Sequence, residues 1–437
     1  MTAAECPEPS TAMLTDHYEL TMLQAALRSG AAHRRCVFEV FARRLPEGRR
    51  YGVVAGTGRL LDALEAFRFD EAALAALADT AVVDDRTLEW LRQNRFSGSI
   101  WGYAEGDCFF PGSPILVVEG TFAEAVLLET VALSILNHDC AVAAAASRMT
   151  AAAGDRPCIE MGSRRTHEQA AVAAARAAYI AGFSATSNLQ AGRRYGVPTT
   201  GTCAHAFTLL HDDERSAFAA QVASLGAGTT LLIDTYDVTR AVRTAVEVAG
   251  TGLGAVRLDS GDLLAQARQV RRQLDALGAK KTRIIVTSDL DEHAIAALAA
   301  APVDGYGVGT ALVTGSGAPA AGLVYKLVAR ADDAGTMMGV AKVSKDKLSI
   351  AGRKWAVRRR GSTGIAETEV VGIGGQPPGE GRPLLVELVR QGAVVGREPL
   401  SAARERHQAA RAELPPSALK LSRGEPAIPT VYEQEPT

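Results

Sequence analysis

The sequence predicts an α/β protein with an irregular, TIM-like α/β barrel at its centre. Three observations carry this. From about residue 155 to about 310, short strand-like runs alternate with helical ones, the pattern of a parallel sheet or barrel. Seven such strands occur with no G-x-G-x-x-G after the first, which favours barrel-like closure over a dinucleotide fold. The stretches before 145 and after 320 share a different texture of strands and helices. The sequence therefore divides into an N-terminal α/β domain (1–145), a barrel (150–320), and a C-terminal segment (321–437) that packs back on the first domain.

In chain order, "MTAAECPEPSTAM" is acidic with no apolar core and is not a signal peptide. "TDHYELTMLQAALRSG" is a helix that Asp16 can cap, with Glu19 three residues on and Gly30 at its end. "CVFEVFARRLP" and "SGSIWGYAEGDCFFPGSPILVVEG" read as strands joined by Gly/Pro turns, and "EAVLLETVALSILNHDCAVAAAASRM" as a long helix. The barrel strands are "RPCIEM", "GFSAT", "VPTTGT", "TTLLID", "GAVRLD", "RIIVTS" and "DGYGVG". Thr166 and Gln169 suit a capping box after the first. After the fifth, Leu263, Ala267, Val270, Leu274 and Leu277 repeat at helical spacing, and Gly278 closes the helix. Basic strand-like segments follow in "MMGVAKVSKDKLSIAGRKWAVRRR", and the Pro-rich tail "EPAIPTVYEQEPT" reads as loosely packed.

Composition excludes several classes of function. Lys and Arg number 47 against 49 Asp and Glu, a net charge of −2, without the basic excess of a nucleic-acid binder. The six cysteines are scattered with no C-x-x-C, which suggests neither zinc knuckle nor disulfide scaffold and fits a reducing cytoplasm. No run reads as approaching the roughly 20 apolar residues of a membrane span.

The unusual polar residues fall at barrel strand ends, where chemistry sits in such folds. "MGSRRTHE" (161–168) offers Gly162 for close backbone approach, helix N-terminal N–H groups for an anion, and Arg164 and Arg165 as bidentate phosphate donors. A solvated basic turn would read the same way. In "VRLDSGDL" (256–263), strand alternation puts Arg257 and Asp259 on one face and Val256 and Leu258 on the other. With Asp262 at the helix start, the cluster suits a polyhydroxyl or metal-bridged ligand, or else a structural ion pair plus a helix cap. Asp234 and Asp237 in "LLIDTYDV" repeat the pattern, with Asp237 a natural cap. Gly307, Gly309 and the Thr310 N–H can cradle a phosphate late in the chain. His205 in "GTCAHAF" has four readings: metal ligand, proton carrier, phosphoryl carrier, or silent core histidine. Together the motifs imply a phosphorylated, hydroxyl-bearing small molecule.

Eight stretches, in order from residue 14 to residue 328, resemble nicotinate phosphoribosyltransferases of the type II phosphoribosyltransferase family: "LTDHYELTM", "FEVFARRLP", "LLETVALSILN", "MGSRRTHE", "VPTTGTCAHAF", "VRLDSGDL", "GVGTALVT" and "VYKLV". The resemblance implies an irregular α/β barrel with a second α/β domain from both chain ends. It implies transfer of a phosphoribosyl group from phosphoribosyl pyrophosphate to nicotinate, giving nicotinate mononucleotide and pyrophosphate. ATP hydrolysis would be coupled through a transient phosphohistidine at His205, with Mg2+ on the pyrophosphate. By the same resemblance Tyr18 stacks on the nicotinate ring across a homodimer interface, Thr202 contacts nicotinate, and Arg257 pairs with its carboxylate. Gly309 and Thr310 match the cradle for the sugar 5′-phosphate, and Arg164 and Arg165 hold phosphate or pyrophosphate groups. Asp259 and Asp262, from their placement, are ribose or magnesium partners. No direct metal ligand is assigned. Imidazole suits phosphoryl carriage, being largely neutral and nucleophilic at pH 7, and "HDDE" (211–214) offers carboxylates to orient it.

Two rivals share parts of this pattern. A nicotinamide phosphoribosyltransferase carries an acid near the ring, where this chain aligns Ser187; serine there favours the acid substrate. A non-catalytic metabolite-binding barrel would keep the cradle but not need His205, Arg257 and Tyr18 together. Cys203, at the variable place beside the histidine, reads as a buried, inert thiol.

Overall fold

The structure, a computed structural model, describes residues 9–342, 349–375, 377 and 379–434. Cys6 and residues 343–348 of the basic C-terminal run lie outside them. The chain forms two compact units, residues 1–141 with 320–437, and residues 142–319.

The first unit draws both chain ends into one seven-stranded antiparallel sheet. Its order is Met337–Gly339, Leu323–Ala331, Arg35–Ala42, Leu116–Thr121, Ser99–Tyr103, Leu385–Arg390 and Ala393–Val394. Arg35–Ala42 is buried at every position but its first, because it is flanked on both sides and covered on its faces. A second sheet orders Arg382–Pro383, Lys354–Arg360, Ala366–Ile373 and Thr430–Gln434. This last strand corrects the reading of a loose tail. Ile428 is buried, the Glu369 N–H donates to Pro429 O at 3.0 Å, and Thr430–Gln434 pairs in parallel with Glu369–Ile373. None of the tail's prolines falls inside the strand: Pro426 and Pro429 precede it, where their missing N–H costs nothing, and Thr430, Val431 and Tyr432 have strand preference.

Buried charges tie the two ends together within this unit. Arg358, fully buried, donates to Asp107 at 3.0 Å and to Glu369 at 2.6 Å, while Arg382 reaches Asp107 at 2.6 Å. Removing one partner would leave a buried charge uncompensated, a loss of about 3–5 kcal/mol. The first helix, His17–Ser29, ends at Gly30 with φ of 79°, as expected, but the Asp16 side chain makes no cap bond. Glu19 instead turns inward and accepts from Thr15 and from the Thr130 N–H. The long helix Glu129–Ala153 also corrects an expectation. By length and composition, Phe122–Ala153 could cross a membrane, yet 67% of its most apolar window is buried inside the protein, which is the mark of a core helix.

The second unit holds a six-stranded, wholly parallel sheet ordered Ala185–Thr186, Cys158–Glu160, Gly305–Val308, Arg283–Val286, Ala255–Leu258 and Thr230–Leu232. Six of the seven expected strands form. The run Val197–Thr202 gives only a bridge between Thr186 and Thr199, since Pro198 has no N–H to donate and the chain turns away toward the helix His205–Leu209. Among the described residues the sheet is therefore a curled half-barrel rather than a closed barrel. Val256 and Leu258 are fully buried while Arg257 between them is not, the alternation the sequence predicts. Each buried aliphatic side chain contributes about 1.5–3 kcal/mol.

Caps set where helices leave the strand ends. Asp262 accepts from the Ala265 N–H at the start of Leu263–Ala276, and Asp237 accepts from the Arg240 N–H at the start of Val238–Ala249. The helix Glu168–Ile180 is capped by His167, whose Nδ1 accepts from the Gln169 N–H, and not by the expected Thr166–Gln169 box. The chain reaches Thr166 still extended, one residue short of the helix entry.

Candidate active site

The parallel strands all end on one side of their sheet, and the residues just past them wall a cavity of about 240 Å³. Met161, Arg164 and Arg165 follow the strand Cys158–Glu160; Arg257 and Asp259 come from Ala255–Leu258 and its exit. Thr287, Ser288 and Asp289 follow Arg283–Val286, and Gly307, Gly309 and Thr310 come from the last strand and its exit. Arg164 and Arg165, in the short 3-10 helix Ser163–Arg165, are exposed. Thr310 opens the short helix Thr310–Val313. Two glycines are fixed by close approach. A Cβ on Gly307 would lie 2.5 Å from Thr287 Cγ2 and 2.7 Å from Met161 Sδ, and one on Gly162 would lie 2.3 Å from Val313 Cγ1.

Beneath this wall lies Glu160, fully buried. It accepts from the Gly162 N–H and the Thr186 hydroxyl, and burial raises its carboxyl pKa above the usual value. It pins the entry of the arginine loop to the neighbouring strand.

Arg257 does two things. It lines the cavity, and it crosses from the sheet to the segment that failed to become a strand. Its Nη1 donates to Thr202 Oγ1 at 2.7 Å and its Nη2 to Cys203 O at 3.0 Å, while its buried Nε has no partner among the described residues. Cys203 is half-buried, and burial raises its thiol pKa, partly offset by a hydrogen bond with the Leu232 backbone. The gap in the sheet is thus spanned by side chains.

His205 is the first residue of the helix His205–Leu209. Its Nδ1 lies 3.1 Å from the Thr235 hydroxyl and its Nε2 lies 3.8 Å from Asp259 Oδ2. Asp259 also accepts from Thr287 Oγ1. Behind it, Asp234 Oδ2 accepts from the Asp259 N–H and from Ser260 Oγ, both at 2.8 Å, leaving Asp234 Oδ1 buried and without a partner among the described residues. The carboxylate facing the histidine is therefore Asp259. The expected "HDDE" acids serve elsewhere: Asp213 caps the helix Glu214–Leu225, and Glu214 is buried with its carboxyl pushed up to about 7.

Of the residues singled out from sequence, the structure brings Arg164, Arg165, Arg257, Asp259, Gly309 and Thr310 to one cavity, with Thr202 and His205 tied to its walls. Asp262 is a helix cap and not a lining residue. Ser187 is exposed just past the strand Ala185–Thr186. Tyr18 belongs to the first unit, is 45% exposed, and has its phenol pushed up to about 12 by burial and by nearby Glu129. Sequence reasoning missed Glu160, Thr235, Thr287, Ser288 and Asp289. Asp289 carried a readable signal, since "RIIVTSD" repeats the apolar-strand-then-Asp pattern of "LLID" and "VRLD".

Comparison with known proteins bears on the chain as a whole. The profile of the nicotinate phosphoribosyltransferase (NAPRTase) N-terminal domain matches residues 13–137. The chain is 60% identical over 429 residues to nicotinate phosphoribosyltransferase pncB1 of Mycobacterium tuberculosis, covering 96% of this chain and 94% of that protein. It is 40% identical over 362 residues to the nicotinate phosphoribosyltransferase of Bacillus subtilis, covering 80% and 74% of the two. The crystal structure of human nicotinic acid phosphoribosyltransferase superposes with a TM-score of 0.83 at 27% identity, over 96% of this chain and 97% of that one.

Proposed function

Because this chain belongs to the nicotinate phosphoribosyltransferase family, we propose that it transfers a phosphoribosyl group from phosphoribosyl pyrophosphate to nicotinate in NAD salvage. One observation carries the reading: Arg257, on the strand Ala255–Leu258, and Asp259, just past its end, line the same cavity as Arg164, Arg165 and the Gly309–Thr310 turn.

The nicotinate ring nitrogen attacks the anomeric carbon. The C–N bond forms, the C–O bond to pyrophosphate breaks, and positive charge develops on the ribose between them. The ring nitrogen is already nucleophilic, so no protein base is required. Catalysis then rests on holding both partners in line and stabilising separated charge. Arg257 orients the nicotinate carboxylate, with Thr202 at the same end. Arg164 and Arg165 hold the pyrophosphate side, and the N–H groups at Gly309 and Thr310 hold the 5′-phosphate.

The residues present fit magnesium. Asp259 and Asp289 offer hard carboxylate oxygens on the cavity wall, and the orphaned Asp234 Oδ1 lies behind them. Among the described residues no group of three or more His, Cys, Asp or Glu forms a metal cluster, which suits an ion bound mainly through substrate phosphates and water. When bound it neutralises pyrophosphate charge. His205 accepts the γ-phosphoryl group of ATP: an N–P bond forms, the P–O bond to ADP breaks, and water later releases phosphate. The half-exposed imidazole beside Asp259 and Thr235 supports this role. Tyr18 and Met22, exposed one turn apart on the helix His17–Ser29, with exposed Leu14 just before it, support a homodimer in which Tyr18 reaches a partner's nicotinate. Among the described residues every cysteine is free, which supports a reducing, cytoplasmic setting.

The test is a side-by-side assay of nicotinate and nicotinamide, with and without ATP. Preference for nicotinate, stimulated by ATP, is expected. Preference for nicotinamide overturns the substrate assignment, and indifference to ATP overturns the coupling.

A further inference from the structure

Thr287, Ser288 and Asp289 all line the cavity although they are consecutive. In an extended chain successive side chains point to opposite faces, so three in a row do not converge. The cause here is visible: Ser288 has φ of 132°, far from the left-handed helical region that non-glycine residues occasionally adopt. A side chain in such a conformation is strained, and strain of this kind gathers at ligand sites. Glycine would take up this backbone freely, so a serine here calls for a reason. The Ser288 side chain is exposed into the cavity, and among the described residues nothing hydrogen-bonds its hydroxyl. Its neighbours are both employed: Thr287 donates to Asp259, and Asp289 presents a carboxylate to the same cavity.

We propose that Ser288 is a substrate-binding residue whose hydroxyl hydrogen-bonds the phosphorylated pentose donor, its strained backbone being what aims that hydroxyl into the cavity. The donor is the fitting ligand because the same walls carry the anion-binding groups Arg164, Arg165 and Thr310 beside the hydroxyl-accepting Asp289. The inference rests on the phosphoribosyl-transfer reading.

Ser288→Ala removes the hydroxyl and keeps the strain, while Ser288→Gly removes both. Both variants are expected to raise KM for phosphoribosyl pyrophosphate about tenfold, the effect of one hydrogen bond, with KM for nicotinate and ATP unchanged. In thermal melting, Ser288→Gly is expected to be the more stable of the two, reversing the usual order of alanine over glycine. An unchanged KM for the donor in Ser288→Ala overturns the contact, as does an equal rise for all three substrates. A higher melting temperature for Ser288→Ala than for Ser288→Gly overturns the strain. Calorimetric binding of phosphoribosyl pyrophosphate to the unaltered protein separates the two levels. Absence of binding removes the transfer reading and this proposal together; binding that Ser288→Ala leaves intact removes only this proposal.

Discussion

Nε2 of His205 stands 3.8 Å from Oδ2 of Asp259. Since Nδ1 of the same ring lies 3.1 Å from the Thr235 hydroxyl, the imidazole is held between the exits of two neighbouring strands. Asp234, one residue before Thr235, holds the loop that carries Asp259. Ring position and acid position are thus set by the same strand end.

His205→Ala is expected to abolish the stimulation by ATP while leaving weak ATP-independent transfer. The unaltered protein should carry an acid-labile label from γ-labelled ATP, and this variant none. Thr235→Val should lower the labelled fraction, and Thr235→Ser should restore it. ATP hydrolysis that stays in step with product formation in His205→Ala would falsify the phosphohistidine.

Arg257→Ala should raise KM for nicotinate by roughly 10- to 100-fold, the range for a lost charge-assisted hydrogen bond, and move KM for phosphoribosyl pyrophosphate far less. An equal loss for both substrates in steady-state kinetics would assign the guanidinium to another task.

Gly307→Ala introduces a Cβ at 2.5 Å from Thr287 Cγ2. Thr287 must then shift, and with it the hydroxyl it donates to Asp259. Overpacking of this kind costs about 1–3 kcal/mol. Denaturant titration should register that loss together with a rise in KM for the phosphoribosyl donor; wild-type behaviour on both counts would mean the cradle has slack.

Ser187→Asp tests the ring site proposed from the sequence, where a second carboxylate would repel that of nicotinate. The ratio of kcat/KM for nicotinate over nicotinamide should fall, and an unchanged ratio would remove Ser187 from the ring site.

The first unit should weaken in mild acid through His407. This histidine is buried, its Nδ1 donates to Gly106 O at 3.1 Å, and burial pushes its pKa from 6.5 down to about 4. The unfolded chain therefore binds a proton that the folded one excludes. The stabilising contribution is complete above pH 6.5 and is lost as pH falls through about 4, a change of about 3 kcal/mol. Unfolding measured from pH 7 to pH 4 should show a shallower loss in His407→Gln than in the unaltered protein.

Much of the site was legible because strand alternation is a local rule. Arg257 and Asp259 face one way because Val256 and Leu258 must face the other. The contact between His205 and Thr235 was not legible, since it joins residues 30 apart in sequence through the order of strands. Nor could the chain say which carboxylate would face the histidine. "HDDE" is nearest in sequence, but a helix cap and burial claim Asp213 and Glu214. The third expected strand was misread because apolar and β-branched residues around Pro198 look extended, and extended they are, without the N–H that a ladder needs. In the tail the prolines outweighed the eye while Thr430–Gln434 paired regardless.

The sheets shared by both chain ends set an order of events during synthesis. The parallel sheet of the second unit has all its strands once residue 319 is made. The first unit does not, because Thr430–Gln434 must still leave the ribosome before Ala366–Ile373 has its outer neighbour. Until then the other half of that unit waits with an unpaired strand edge, the condition most prone to aggregation. Shortening the chain by its last few strand residues should therefore lower the yield of native protein more than its activity per folded molecule.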